Sequence, residues 1–153
     1  MTADIDEVWM RRALTVARRA GARGEVPVGA IAVRDGARIS TASNRMESGH
    51  DATAHAEMLC LRRAASRMQS WRLNDVTLYV TLEPCPMCAS AMVLSRLGRL
   101  VYAAKDPKKG ADGSAYQLLD HPANNHRVSV RPGVMAGEAS AMLSTFFQEL
   151  RAC

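Results

Sequence analysis

The chain has 153 residues, of which 48% are hydrophobic, and a formal net charge of +5 at pH 7. This length can bury one proper core, so we expect a single domain over residues 1–153. The acidic first residues, Met1–Glu7, lack the apolar core of a signal peptide, and no apolar run approaches membrane-spanning length. These features argue against secreted and membrane proteins. We expect a cytoplasmic protein, in keeping with four cysteines in a reducing compartment.

The beginning of the chain predicts a helix and then a β-hairpin. Apolar residues recur at helical spacing from Ile5 to about Arg23, and an aspartate at position 4 or 6 can cap this helix. Val28–Val33 and Ala37–Thr41 predict two strands. They form a hairpin because Asp35 and Gly36 between them can supply the positive φ angles of a tight turn.

A second helix is predicted from Ala54 to about Met68, after a polar loop. Asp51 and Thr53 precede this helix and are candidate caps. His55 and Glu57 lie near its start, two residues apart. Their side chains can converge only if the end of the helix points at one site, and the caps favour such an arrangement.

A helix from Cys85 to about Ser95 is predicted between strands Val76–Thr81 and Arg99–Ala104, which should pair in parallel. Cys85 and Cys88 both fall in its first turn, so the two sulfurs can share one face. Pro86 suits this turn because it lacks an N–H group that would have no partner there. The helix dipole also favours thiolates at this end. We expect this helix beside that of His55 on one face of the sheet.

The rest of the chain predicts a loop, a turn, a strand and a helix. Lys105–Ser114 leaves the carboxyl end of a strand, where open α/β sheets bind ligands. Tyr116–Asp120 predicts one helical turn, His126–Val130 a fifth strand and Ala136–Arg151 a closing helix. The expected fold class is therefore α/β, with a mixed five-stranded sheet in a three-layer α-β-α arrangement.

The sequence predicts one catalytic zinc site. His55, Cys85 and Cys88 supply three protein ligands and leave the fourth tetrahedral position to water, as in catalytic rather than structural zinc sites. Zinc lowers the pKa of such a water from near 16 to roughly 7, and the unligated Glu57 can carry protons beside it. The pattern of His-x-Glu followed by Pro-Cys-x-x-Cys is typical of zinc-dependent nucleobase deaminases. We predict one Zn²⁺ per chain and Glu57 as the catalytic residue.

Each part of this pattern has a more ordinary explanation when it is taken alone. Cys-x-x-Cys behind a strand also fits a thioredoxin-like redox motif. His55 alone would more often be a helix-cap histidine, and Glu57 a carboxylate that favours the helix dipole. A structural zinc ribbon would need a second pair of cysteines in this pattern, which the sequence lacks. The joint occurrence of the two motifs favours the catalytic zinc site.

Positive charge is concentrated between positions 96 and 131, where seven lysines and arginines accompany three acids. A basic segment of this kind is more often a solvated face than a nucleic-acid contact. With a base-modifying site beside it, however, nucleic acid becomes the favoured partner.

Six distinctive segments are spread over the chain, and two of them contain the zinc motifs. They are Glu25–Ala30, Thr53–Glu57, Leu82–Cys88, Gly110–Ser114, Asn125-His126 and Phe146–Arg151. Together they resemble the bacterial tRNA-specific adenosine deaminases of the cytidine deaminase superfamily, and the match covers nearly the whole chain. The zinc pattern is specific to the superfamily, whereas the segments after Lys105 point to the tRNA-acting family.

This resemblance implies a cytidine-deaminase-like fold, a homodimer, and hydrolytic conversion of adenosine to inosine at the wobble position of a tRNA anticodon. It implies that zinc hydroxide attacks adenine C6 while Glu57 moves protons to the ring and to the departing ammonia. Asn44 would hydrogen-bond the base, Val28 would pack on its face and Asp106 would lie by a ribose hydroxyl. The residues implied near neighbouring nucleotides are Asn125, Phe146, Phe147 and Arg151.

The chain departs from the family in its tail, where Gln148–Leu150 replace the more basic stretch of better-known members. This departure puts phosphate contacts from the tail in doubt. Three other functions stay open at this point. They are a free-base or nucleotide deaminase with the same zinc site, a non-catalytic RNA-binding module, and a thioredoxin-like oxidoreductase.

Overall fold

The structure is a computed structural model that describes residues 3–152. Helices and strands alternate along these residues much as the sequence predicts. In chain order they are α1 (Ile5–Ala22), β1 (Gly29–Arg34), β2 (Ala37–Ser43), α2 (Ala56–Met68), β3 (Thr77–Leu82), α3 (Pro86–Leu94), β4 (Arg99–Ala104), β5 (Ser129–Arg131) and α4 (Ala136–Ala152).

The five strands form one mixed sheet in the order β2-β1-β3-β4-β5. β1 runs antiparallel to both β2 and β3, whereas β3, β4 and β5 are parallel. The start of β1 therefore lies beside the carboxyl end of β3, and the Gly29 N–H donates to Thr81 Oγ1 at 3.1 Å. At this edge of the sheet, the starts of α2 and α3, which carry the predicted metal ligands, lie close together.

Side chains alternate between two cores, one on each face of the sheet. Leu78 and Val80 of β3 pack with α2 and α3, whereas Tyr79 between them packs with α1 and α4. The two helices that carry the predicted ligands therefore lie together on one face. The three-layer α-β-α prediction is confirmed, because helices cover both faces of one mixed sheet.

Backbone geometry explains the residues found at the two ends of β1, namely Gly29 at its start and Asp35-Gly36 after its last residue. Asp35 and Gly36 have φ angles of +51° and +75°, so the predicted hairpin turn is confirmed. A Cβ atom on Gly29 would lie 2.3 Å from the Ala13 carbonyl oxygen, which means that α1 rests directly on the backbone of β1. Glycine permits this close approach.

The structure corrects the sequence prediction between β4 and α4. Tyr116–Asp120 forms no helical turn, because Gln117 makes an isolated antiparallel bridge with Asp112 and the Leu118 N–H donates to the Ala111 carbonyl. β5 covers Ser129–Arg131 rather than 126–130. The ring of His126 instead forms a hydrogen bond with the Leu97 carbonyl at 2.7 Å.

A buried carboxylate joins α1 to three strands. Asp6 is only 2% exposed and accepts hydrogen bonds from the Tyr79 hydroxyl at 2.7 Å, from both terminal nitrogens of Arg99 at 2.8 and 2.6 Å, and from Arg131 at 2.6 Å. The bond from Arg99 holds the pKa of Asp6 well below its ordinary value, against the opposing effect of burial. Asp4, whose side chain caps α1, also pairs with Arg131.

None of the helices within residues 3–152 combines the length and the apolar character that crossing a bilayer requires.

Replacing Asp6 with asparagine should destabilise the fold by about 3 kcal/mol, because it leaves two arginines beside a neutral side chain in a buried site. The free energy of unfolding, measured by urea titration at pH 7, tests this expectation. Asp120→Asn is the matched control, since Asp120 pairs with Arg127 at an exposed position and should contribute less than about 1 kcal/mol.

The stability that Asp6 contributes to the folded protein depends on pH. Asp6 has a lowered pKa in the folded protein, so its contribution is fully present above the unfolded value of about 4 and is lost as the pH falls through the folded pKa. The difference between wild type and Asp6→Asn should therefore shrink below about pH 4. Equal unfolding midpoints for the two proteins at pH 7 would contradict the role assigned to Asp6.

Candidate metal centre and adjoining cavity

One histidine and two cysteines converge where α2 and α3 begin. His55 Nδ1 lies 3.5 Å from Cys85 Sγ and 3.6 Å from Cys88 Sγ, and the three ligand atoms all lie within 4.8 Å of one another. His55 and Cys85 are the residues at which α2 and α3 are capped, and Cys88 lies in the first turn of α3. The two helix N-termini therefore point at the same place.

The cap of α2 differs from the prediction. The first helical N–H group, that of Ala56, donates to Asn44 Oδ1 at 2.8 Å. Asp51 instead accepts hydrogen bonds from the N–H and the hydroxyl of Thr53, so these two residues stabilise the turn before the helix. The prediction of Asp51 or Thr53 as the cap was wrong, because the actual partner comes from the end of β2, a dozen residues earlier.

The spacing of the three ligand atoms fits a tetrahedral ion. Zinc bonds of about 2.3 Å to sulfur and about 2.0–2.1 Å to nitrogen place a nitrogen about 3.6 Å from a sulfur at the tetrahedral angle. The two distances from His55 Nδ1, 3.5 and 3.6 Å, agree with this value. The cluster is therefore able to bind a metal ion with these three donors.

Protons are already unevenly shared within the cluster. The hydrogen bond with Cys88 lowers the pKa of the Cys85 thiol to about 4, against the effect of burial. The hydrogen bond between the two sulfurs also raises the pKa of Cys88, and burial raises it further. The hydrogen bond between His55 and Cys85 raises the pKa of His55. One sulfur is thus a thiolate near neutral pH. A cation would take the place of the protons that Cys88 and His55 hold, as metal binding to such ligands requires.

Glu57 lies beside the cluster without belonging to it. Its side chain is buried, with 4% exposure, in the first turn of α2, and it lines the adjoining cavity together with His55 and Cys85. Burial raises the pKa of Glu57 to about 7. A carboxyl group in this range can both accept and return a proton at neutral pH, which is what a general base and acid must do.

A cavity of about 520 Å³ opens over the cluster and is the right size for a small organic ligand. Val28, Asn44 and Asp106, which the family resemblance implies as contacts of the substrate, line it together with His55 and Cys85. Its other lining residues are Val26, Met46, Ala52, Leu82, Glu83, Pro86, Met87 and Lys109. Three of the seven implied contacts thus share a cavity with the candidate metal ligands.

The other four implied contacts lie farther out. Phe146 lines a second cavity of about 340 Å³, which shares Asn44 with the first one. Phe147 is exposed and packs edge-on against Phe146, with ring centroids 5.4 Å apart. Asn125 and Arg151 are exposed and line neither cavity.

Two buried acids around the site were not predicted from the sequence. Glu83 lines the cavity and accepts hydrogen bonds from the loop after β4. Glu25 accepts the N–H groups of Glu47 and Ser48 and so fixes the loop that follows Asn44. The only available signal was an acid directly before Pro84-Cys85 and another within the Glu25–Ala30 segment, and neither position reveals a partner that is distant in sequence.

The fold and the cluster together define a class of protein, namely deaminases with a cytidine-deaminase-like fold. Residues 5–151 match the family described as MafB19-like deaminase. Among curated relatives, the tRNA-specific adenosine deaminase of Bacillus subtilis is 47% identical over 95% of this chain and 91% of its own length. That of Aquifex aeolicus is also 47% identical, over 95% of both chains.

Solved structures agree with these relatives. A structure from work on A-to-I editing by tRNA deaminases at the wobble position of transfer RNA has a TM-score of 0.84 and 43% identity, covering 88% of this chain and 97% of that one. Guanine deaminase from Nitrosomonas europaea gives a TM-score of 0.79 at 25% identity, covering 100% of this chain and 87% of that one. The chain belongs to the MafB19-like deaminases and, by its curated relatives, to the tRNA-specific adenosine deaminases.

Purified protein should contain about one equivalent of metal per chain, and Cys88→Ser should lose it, because two protein donors bind such ions far more weakly than three. Inductively coupled plasma mass spectrometry after gel filtration measures the content. Cys60→Ala is the control, since Cys60 is a buried cysteine bonded to Ser40 and should keep its metal when replaced. Full metal content in Cys88→Ser would contradict the three-ligand site.

Proposed function

We propose that this protein is a zinc-dependent tRNA adenosine deaminase, which hydrolyses adenosine to inosine and ammonia at the wobble position of an anticodon. The observation that carries the proposal is the buried Glu57 beside a cluster of His55, Cys85 and Cys88 at the end of a cavity. Relatives that are 47% identical and bear this name support the choice of substrate.

His55, Cys85 and Cys88 would hold the zinc ion. When bound there, zinc supplies Lewis acidity that lowers the pKa of a water to about 7. Glu57 accepts a proton as water adds to adenine C6 and delivers a proton to the neighbouring ring nitrogen. It then takes the remaining proton from the hydroxyl group newly bonded to C6 and passes it to the exocyclic amine, so that the C6–N bond breaks, ammonia departs and C6 keeps a carbonyl oxygen. Burial keeps this carboxyl group out of bulk water, so its protons are exchanged with the substrate.

The cavity walls offer a base both a hydrogen-bond donor and an apolar surface. Asn44 Oδ1 is engaged by the Ala56 N–H, which leaves the Nδ2 amino group to donate to an acceptor on the base. Val28 provides apolar surface in the same cavity, and Asp106 lies on its wall. A base from a single-stranded loop can be splayed into such a site at little cost.

The positive charge of the region is distributed unevenly. Arg99 and Arg131 are held by Asp6, and Arg127 pairs with Asp120. The lysines are different, because all three lysines of the chain lie within Lys105–Lys109 and one of them lines the cavity. This loop therefore brings positive charge to the cavity mouth, as binding of an RNA backbone requires.

We also propose that the enzyme is a cytoplasmic homodimer that contacts the anticodon arm. Exposed apolar side chains support a subunit contact, since Leu94 on α3 is 70% exposed and Trp71 is 57% exposed. Three described cysteines without disulfides suit a reducing compartment.

The fold that this chain shares with guanine deaminases makes a free purine base the alternative substrate.

Unmodified tRNA transcripts incubated with the protein should acquire inosine at the wobble position, detected by sequencing. Glu57→Gln should lower turnover by at least about 10³-fold, because the amide cannot carry a proton between water and the base. Metal content and tRNA affinity should stay close to wild type in this variant. Deamination of free guanine, with tRNA left unchanged, would favour the alternative. An active Glu57→Gln enzyme would exclude the mechanism.

Lys109→Gln should raise the KM for tRNA and flatten its dependence on salt. One phosphate contact on single-stranded RNA adds about 0.7 to the slope of log affinity against log salt concentration, so the slope should fall by about that amount. Arg38→Gln is the control, because Arg38 is exposed at the opposite end of the sheet. Equal salt slopes for the two variants would remove Lys109 from the RNA contact.

A further inference from the structure

Glu83 is a fully buried carboxylate that the proposed reaction does not use. It follows the last residue of β3, stands two residues before Cys85, and is 2% exposed. Its Oε1 atom accepts hydrogen bonds from the Asp106 N–H at 3.0 Å and from the Ser114 hydroxyl at 2.5 Å. Its Oε2 atom accepts from the N–H groups of Asp112 at 2.8 Å and Ser114 at 3.4 Å.

The loop after β4 is wrapped around this carboxylate. A Cβ atom on Gly110 would lie 2.3 Å from Glu83 Cδ, so the loop backbone passes against the carboxyl group with room only for glycine. The Ala111 N–H also donates to the Pro84 carbonyl at 2.8 Å. The loop after β4 is therefore hydrogen-bonded both to the Glu83 side chain and to the Pro84 backbone, directly before the candidate metal ligand Cys85.

The wrapped loop forms one wall of the cavity. Asp106 and Lys109 line it, and Asp106 Oδ1 accepts the N–H groups of Lys108 and Lys109. These hydrogen bonds stabilise a turn over residues 106–109. The hydrogen bond from the Asp106 N–H to Glu83 fixes the first residue of that turn. The position of Lys109 over the cavity thus depends on Glu83.

Glu83 is poorly suited to bind the substrate directly. An ionised carboxylate has about four lone-pair sites, and four donors of the loop already occupy them. Any effect of Glu83 on the reaction must therefore pass through the loop.

We propose that Glu83 is a positioning residue for substrate binding, which holds the loop of Asp106 and Lys109 against the cavity. This inference rests on the proposed function for its substrate, an RNA whose backbone meets that loop. None of the four hydrogen bonds that Glu83 accepts comes from His55, Cys85 or Cys88, so the proposed role is separate from the candidate metal ligands.

Glu83→Gln tests the proposal with little change in shape. An amide keeps one acceptor oxygen, and if that oxygen retains the N–H groups of Asp112 and Ser114, its NH₂ group faces the Asp106 N–H. The KM for tRNA should rise at least about tenfold, while kcat changes less than about threefold and metal content stays at wild-type level. Glu138→Gln, at an exposed position in the first turn of α4, should leave KM unchanged.

Gly110→Ala disturbs the same contact from the side of the loop and should give the same selective rise in KM. Gly137→Ala is its matched control, because nothing lies within 4 Å of the added methyl group there. Amide hydrogen exchange provides a readout without substrate. The N–H groups of Asp106 and Asp112 should exchange faster in Glu83→Gln than in wild type.

An unchanged KM in Glu83→Gln, with or without faster exchange, would overturn the positioning role. So would a loss of activity that follows the loss of folded, metal-loaded protein, since a merely structural residue would behave in this way. Failure of the proposed function has a different signature, namely a wild-type enzyme that leaves tRNA unchanged. The inference then loses the RNA on which it rests, whereas a wild-type enzyme that deaminates tRNA, together with a Glu83→Gln enzyme whose KM for tRNA is unchanged, overturns the inference alone.

Discussion

The structure depends on two helices that begin at one place. α2 and α3 lie on the same face of the sheet, and their N-termini meet at the edge formed by the carboxyl end of β3. Backbone N–H groups and helix dipoles at such ends favour anionic groups, as the lowered pKa of the Cys85 thiol illustrates. Parallel pairing of β3 with β4, the antiparallel entry of β1, and the Asn44 cap all serve to bring His55, Cys85 and Cys88 within reach of one cation.

The buried acids Asp6, Glu25 and Glu57 have different surroundings, and these determine the direction in which each pKa is shifted. Asp6 lies among cationic and hydroxyl donors, and its pKa is lowered. Glu25 is desolvated as well, but the N–H groups of Ser48 and Glu47 outweigh burial and also lower its pKa. Glu57 has burial as its dominant influence, and its pKa is raised. The same side-chain chemistry therefore gives ionised anchors in two places and, in the third, a carboxyl group that can gain or lose a proton near neutral pH.

Much of this arrangement could be predicted from the sequence because its signals are local. Asp35 and Gly36 encode their turn within two residues, and Cys85 and Cys88 encode their shared face within one helical turn. The errors arose where distant groups decide the structure. Asn44 displaced the predicted caps of α2 from twelve residues away, and the hydrogen bonds of Glu83 span 23 to 31 positions. No periodicity in the sequence encodes such pairings, so these roles become visible only in the folded structure.

The placement of lysine has a practical consequence for handling the protein. Apart from the amino terminus, every primary amine of the chain stands within five consecutive positions, in the loop whose Lys109 lines the cavity. Reagents that acylate amines, and supports that capture proteins through them, will therefore modify or cover this face first. Attachment through another chemistry would leave the entrance open.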